Sequence, residues 1–395
     1  MKKTIDDVNF AGKRTFIRCD FNVPVVDGAI SNDLRIVSAL PTIKKVIADG
    51  GKVVLASHMG RPKGQRVEEF SLKLVAARLT ELLGQDVALL GDCVGSEVEA
   101  AVNALANGQV VLLENVRFHA AETSKDEAEV AGLAAEFAKF TDIFVGEAFG
   151  SAHRAHASVV GLSKHVDAVS GYLMAKELEY FGKVLESPEK PVVAILGGAK
   201  VSDKIMLIEN MLDKVDKVIV GGGMAYTFQY AMGRDVGNSL LEKDKAPLAL
   251  ELIEKAKAKG VDLILPLDTV IADDFSASAN TEVVSGDIKA GWEGIDVGPA
   301  AVKQFSDAVA DAKVVVWNGP LGVFEIEPFS HGTRGMGDVL AESDAVTIIG
   351  GGDTASAVVK FGVADKMNHI STGGGASLEL LEGKVLPGVA CLNEK

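Results

Sequence analysis

The chain has 395 residues, 48% of them hydrophobic and 24% charged, with a net charge of −15. At about 150 residues per domain this is two domains, each able to bury its own core, and the composition excludes a disordered, fibrous or single small-module protein. The acidic balance argues against nucleic acid as a partner, and no apolar run reaches the roughly 18 residues of a membrane span, so neither association is expected.

Asp6 and Asp7 stand where the apolar part of a signal peptide would follow Lys2 and Lys3, which predicts a cytoplasmic protein. Cys19, Cys93 and Cys391 are odd in number and lack ligand spacing, so buried free thiols are expected. Residues 1–170 carry a net charge of −3 and the remainder −12. Eight of ten Arg lie in the first part and 28 of 42 Gly in the second, so one half suits planar anions and the other close backbone approach to a ligand.

In chain order, RTFIRCDFNV (14–23) and GKVVLASH (51–58) read as strands, and Arg35 opens a helix between them. The segment 71–84 sets Leu72, Val75, Leu79, Leu82 and Leu83 at helical spacing and closes on Gly84. Strand-like runs follow at 109–116 and 142–149. This alternation predicts a parallel sheet covered on both faces. Cations and amides cluster at the ends of these runs, in CDFNVP (19–24), SHMGRP (57–62), ENVRF (114–118) and AHRAH (152–156). Arg35, Arg61, Arg117 and Arg154 converging on one cleft would hold a small, highly anionic molecule; singly, each reads as a surface ion pair. His58, His153 and His156 read individually as structural, with no H-E-x-x-H spacing.

The segment 171–191 carries Leu173, Met174, Leu178, Phe181 and Leu185 as a helical stripe before Pro188 and Pro191. It is a helix linking the domains or a surface helix of either one. A second α/β domain then begins, with strand-like runs at 191–198, 215–223, 261–268, 312–319 and 345–353. After the first, GGAKVSDK (197–204) sets Lys200 and Lys204 four apart on one face of the helix expected next, a phosphate site in outline or a turn with two solvated lysines. GGGDTAS (350–356) puts Asp353 and Thr354 at a helix start, where Asp353 either ligates a nucleotide's Mg²⁺ or caps the helix. STGGGAS (371–377) repeats the device. GGGMA (221–225) and GWEG (291–294) either border a flat base or form tight turns. No catalytic triad or kinase H-R-D loop is legible, and a carboxylate acceptor would need no base because it is already ionised at pH 7.

Taken together and in this order, RCDFNVP, SHMGRP, LENVRF, AFGSAHRAH, GGAKVSDKI, GGGMAYTF, WNGPLGVFE, GGGDTA and STGGGA resemble the phosphoglycerate kinase family over essentially the whole chain. The resemblance implies two Rossmann-like α/β domains with parallel sheets, separated by a cleft: 1–172 binding phosphoglycerate, a helix at 173–186, 187–382 binding nucleotide, and a tail at about 383–395 returning to the first. It implies reversible phosphoryl transfer from 1,3-bisphosphoglycerate to MgADP, in a cytoplasmic monomer. By motif, Asp20, Asn22, Arg35, His58, Arg61, Arg117 and Arg154 would hold the phosphoglycerate, with Arg35 reaching the reacting carboxylate. Lys200, Lys204, Gly373 and Gly374 would surround the moving phosphoryl group. Ala199, Gly222, Gly223, Gly294, Asn318, Glu325, Gly352, Thr354 and Ala355 would line the nucleotide, and Asp353 would bind its Mg²⁺. Gly146 and Glu147 depart from the family's frequent Asn-Asp, and Ser151 from a common Thr. Two rivals are a two-lobed sensor of anionic metabolites and a kinase acting on another carboxylate such as acetate.

Overall fold

Near-continuous apolar runs, rather than alternating ones, become the central strands of two all-parallel sheets, because such strands are covered on both faces. A computed structural model describes residues 1–186 and 188–395. The chain forms two compact units, Met1–Leu178 with Val385–Lys395, and Glu179–Lys384.

Unit 1 holds β1 (Arg14–Arg18), the hairpin β2 (Val25–Val26) and β3 (Ala29–Ile30), then β4 (Lys52–Ala56), β5 (Val87–Leu89), β6 (Val110–Leu112), β7 (Ile143–Gly146) and β8 (Asp167–Ser170). Its helices are α1 (Leu34–Ala48), α2 (Lys73–Leu83), α3 (Ser96–Asn103) and α4 (Glu127–Ala138). The six-stranded sheet runs β5-β6-β4-β1-β7-β8, parallel throughout. Phe16 of β1 packs its ring 5.2 Å from Phe137 of α4 and 6.2 Å from Phe144 of β7. Val75 and Leu79 of α2 and Leu72 at its N-cap are fully buried, and the helix ends on left-handed Gly84 at φ 66°. The C-terminal segment pairs with the start of the chain, Asn393 accepting from Lys3 N–H at 2.8 Å and donating its own N–H to Ala168 at 2.9 Å.

The division between units falls inside α5 (Tyr172–Leu185). The boundary expected at 187 lies at a residue outside those described. Unit 2 holds β9 (Val192–Leu196), β10 (Lys217–Val220), β11 (Asp262–Ile264), β12 (Thr269–Ala272), β13 (Thr281–Val284), β14 (Glu293–Val297), β15 (Val314–Asn318), β16 (Val346–Gly350) and β17 (His369–Ile370). Its helices are α6 (Ile205–Met211), α7 (Met224–Ala231), α8 (Ala246–Lys259), α9 (Pro299–Val309), α10 (His331–Ala341), α11 (Gly352–Lys360) and α12 (Gly375–Leu381), while α13 (Pro387–Ala390) belongs to unit 1. The main sheet runs β11-β10-β9-β15-β16-β17, again parallel. All five residues of β9 and of β15 are buried. Buried Trp317 satisfies its indole N–H on the Gly319 carbonyl at 2.8 Å. A separate antiparallel sheet, β13-β12-β14, accompanies it. No helix among the described residues is long and apolar enough to cross a membrane. Cys19 and Cys93 are buried free thiols as expected, whereas Cys391 is only half-buried because it lies in the short turn after α13.

Candidate active site

In open parallel sheets, ligands meet the carboxyl ends of the strands. In unit 1, Asp20 and Asn22 follow β1, His58 and Arg61 follow β4, Arg117 sits in the single turn Val116–Phe118 after β6, and Arg154 follows β7, while Arg35 lies in the first turn of α1. Arg35 Nη1 donates to both Asp20 carboxylate oxygens at 3.1 Å and to the Asn22 carbonyl at 3.0 Å. Asn22 Oδ1 accepts from Gly60 N–H at 2.9 Å, tying the β1 and β4 loops together. Arg117 Nη1 donates to the Gly60 carbonyl at 2.8 Å, and its buried Nε has no partner among the described residues. Arg61 and Arg154 are exposed.

Sequence reading missed Arg18. It is 1% exposed on β1, with Nε donating to Ser158 Oγ at 2.7 Å, Nη1 to the Cys19 carbonyl and Nη2 to His58 Nδ1 at 3.2 Å. Arginine only donates, so His58 Nδ1 accepts and the ring proton belongs on Nε2. Burial, then the neighbouring Arg18, Arg117, His156 and Arg35, push the His58 imidazole well below its ordinary range. Burial, followed by Arg18, Arg117 and Arg154, brings His156 down to about 3. Burial lowers even Arg117, to about 10, with Arg18 and Arg61 adding to the effect. Arg18 bears on all three groups, Arg35 on His58, Arg61 on Arg117 and Arg154 on His156. At Arg117 the fully buried Glu122 and Asp20 oppose this lowering, and Glu122 accepts from Ser158 N–H at 2.9 Å and Oγ–H at 2.6 Å. Guanidiniums gathered around two lowered imidazoles suit a small anionic molecule.

Unit 2 presents the ends of β9, β10, β15 and β16. The expectation that Lys200 and Lys204 share a helix face is corrected: α6 begins only at Ile205, residues 202–204 form a turn, and Lys204 is the N-cap. The turn is pinned because Glu242 accepts from Ser202 N–H at 2.9 Å and from its hydroxyl at 2.5 Å. Lys200 is exposed. Lys204 Nζ donates to Asn318 Oδ1 at the end of β15. Burial lowers the Lys204 ammonium, opposed by Glu382, Asp203 and Asp353 nearby. Asp353 is exposed in the first turn of α11, whose N-cap is Gly351. Thr354 Oγ1 accepts from Gly319 N–H at 2.7 Å, fastening α11 to the β15 loop. Gly352 is exposed and Ala355 partly so.

The glycine loops divide into two kinds. At Gly222, φ 66°, a Cβ would stand 2.7 Å from Gly198 N, so the β10 loop needs glycine where it meets the β9 loop; on neighbouring Gly223 a Cβ would stand 2.9 Å from the Ala199 carbonyl oxygen. Gly294 in β14 is filled by Tyr226, whose ring a Cβ would meet at 2.4 Å. Gly374, φ 50°, has open space beside it and opens α12. The Gly373 N–H is engaged by Ser371 Oγ at 3.1 Å. Glu325 is exposed in a loop fixed by Lys360 Nζ, which donates to the carbonyls of Phe324 at 2.9 Å and Glu325 at 3.0 Å.

The family profile described as phosphoglycerate kinase matches residues 5–384. The chain belongs to the phosphoglycerate kinase family. Among solved structures, it is similar to phosphoglycerate kinase from Coxiella burnetii, at 44% identity and a TM-score of 0.91 over 99% of this chain and 98% of that one. It is also similar to phosphoglycerate kinase from Pyrococcus horikoshii OT3, at 32% identity and a TM-score of 0.84 over the same shares. The kinase transfers a phosphoryl group between 1,3-bisphosphoglycerate and ADP, a step of glycolysis. The rival of a mere anion sensor therefore falls.

Proposed function

We propose that unit 1 holds the phosphoglycerate through Asp20, Asn22, Arg35, His58, Arg61, Arg117 and Arg154, and that unit 2 holds the nucleotide. The gathering of Arg18, Arg35, Arg61, Arg117 and Arg154 about His58, His156 and one another carries this reading, because a phosphate monoester and a carboxylate on one small molecule supply about three negative charges at pH 7 for such guanidiniums to meet. Neutral His58 would give its Nε2–H to the anion without adding charge, and Arg35 would approach the reacting carboxylate. That acceptor is ionised, so transfer needs alignment and charge stabilisation rather than a base.

On unit 2, Lys200, Lys204 and the Gly374 amide would meet the charge on the moving phosphoryl group; the Gly373 amide joins them only by leaving Ser371. Gly222, Gly223, Gly294 and Asn318 would shape the nucleotide pocket with Ala199, Gly352, Thr354 and Ala355, and Glu325 would accept from the ribose hydroxyls. Asp353 suits Mg²⁺, since the ion commonly takes one carboxylate beside substrate phosphates and this carboxylate is exposed at the start of α11. When bound there, Mg²⁺ neutralises phosphate charge. Bringing the two reactants together with water shut out requires the units to close, α5 being the helix in which one passes into the other. We further propose a monomer working in the cytoplasm, as the family resemblance implies.

A coupled assay of ATP consumption with 3-phosphoglycerate, then with acetate, tests the assignment. Turnover with 3-phosphoglycerate and none with acetate is expected, because acetate leaves most of the guanidinium charge unpaired. Comparable turnover with acetate would remove the role given to the arginines.

A further inference from the structure

Outside the residues assigned to the anion, Asp92, Cys93 and His119 bring a carboxylate oxygen, a thiol sulfur and an imidazole nitrogen within 4.8 Å of one another. Spacing in the chain hides the group, because its members meet only through the pairing of β5 with β6. Asp92 and Cys93 lie in the loop after β5, where the Asp92 carbonyl accepts from Glu114 N–H at 3.4 Å. His119 closes the turn after β6. Its Nε2 stands 2.7 Å from Asp92 Oδ1, which also accepts from Cys93 N–H at 2.6 Å. Cys93 is 0% exposed, while the His119 and Asp92 side chains are 33% and 48% exposed. The sulfur is therefore a floor, with the carboxylate and imidazole as a rim open to solvent.

We propose that Asp92, Cys93 and His119 form a zinc-binding site, with water as the fourth ligand. A mixed sulfur, nitrogen and oxygen donor set suits this borderline-soft ion and not Mg²⁺ or Ca²⁺, and three protein ligands plus water are an established tetrahedral arrangement. On binding, the S–H bond breaks, its proton leaves to solvent and a Zn–S bond forms. The Asp92 to His119 hydrogen bond is exchanged for one metal bond to each: Nε2 gives up to solvent the proton that it donates to Asp92, and the neutral ring that ligates through Nε2 carries its proton on Nδ1. Zinc with one carboxylate, one thiolate and a neutral imidazole sums to zero charge, so no uncompensated charge is left against the buried sulfur. The ion would join the loop after β5 to the segment that carries Arg117 two residues earlier, and its role is to hold that segment.

The test uses the full-length, tag-free, metal-depleted protein, titrated with Co²⁺ as a spectroscopic probe in excess Mg²⁺. One Co²⁺ per chain is expected, with tetrahedral ligand-field bands and a thiolate charge-transfer band that Cys93→Ser abolishes. Competition for Zn²⁺ against a chromogenic chelator should show affinity weakened about a hundredfold or more in Cys93→Ser and in His119→Gln, at least the loss caused by removing an outer partner. Asp353→Asn should change neither result. A cobalt complex of the unaltered protein without the thiolate band overturns the proposal whether or not any variant folds, as does zinc affinity insensitive to both ligand variants.

Discussion

Arg35 is held at Nη1 by both oxygens of Asp20 and by the Asn22 carbonyl, and its side chain remains 39% exposed. A guanidinium fixed on one nitrogen by the protein presents the rest of its fork in a set orientation. Its role is to meet charge at the reacting carboxylate, so Arg35→Ala should lower kcat by about 3 kcal/mol of transition-state stabilisation, on the scale of a lost oxyanion donor. ADP affinity should hardly change. Steady-state kinetics with calorimetric ADP binding checks this, and a matching loss of ADP affinity would reject the assignment. Most side chains of this cluster are legible because each follows an apolar run and precedes a turn. Arg18 is not, since inside a strand buried on both faces no alternation tells which polar side chain turns toward a ligand. The protonated nitrogen of His58 is likewise invisible until Arg18 is seen donating to the other.

At the scale of elements, α5 begins under the control of Glu147, one of the two residues where the sequence departs from the family's frequent Asn-Asp. Its carboxyl accepts from Leu173 N–H at 3.2 Å and Met174 N–H at 3.4 Å, while Thr42 Oγ1 accepts from Tyr172 N–H at 2.9 Å. Gly171 is required there, since a Cβ would stand 2.0 Å from Glu147 Oε2. Burial dominates the carboxyl and raises it from 4.5 to about 8 despite these hydrogen bonds. The folded protein thus keeps a proton that the unfolded chain releases, so this contribution to stability is complete below 4.5 and is lost as pH rises through about 8. Glu147→Gln should remove that slope. Urea unfolding at about pH 5 and about pH 9 should show the variant gaining on the parent by on the order of a few kcal/mol at the higher pH. Parallel pH profiles would reject the claim. The long central strands and α2 are readable from their apolar runs and spacing. Three-residue β5, two-residue β17 and the largely exposed β13 are too short or too polar to announce themselves. The onset of α6 is misjudged by several residues, because the Ser202 to Glu242 contact that delays it spans 40 positions of sequence.

For the whole molecule, two parallel sheets of six strands expose strand ends of opposite chemical character: guanidiniums around neutral histidines on unit 1, and glycine turns with Lys204 and Asp353 on unit 2. The asymmetry of arginine and glycine along the chain already indicates this division, whereas the parts played by buried Arg18 and Glu122 appear only in the structure. The division of labour is tested most directly by titration calorimetry of 3-phosphoglycerate and of MgADP against the unaltered protein, Arg117→Ala and Asp353→Ala. Arg117→Ala should weaken phosphoglycerate binding by about 2 kcal/mol, the scale of a hydrogen-bonded charge lost from its partner, with MgADP binding retained. Asp353→Ala should do the reverse. If either variant weakens both ligands equally, or Arg117→Ala leaves phosphoglycerate affinity untouched, the assignment of one reactant to each unit is contradicted.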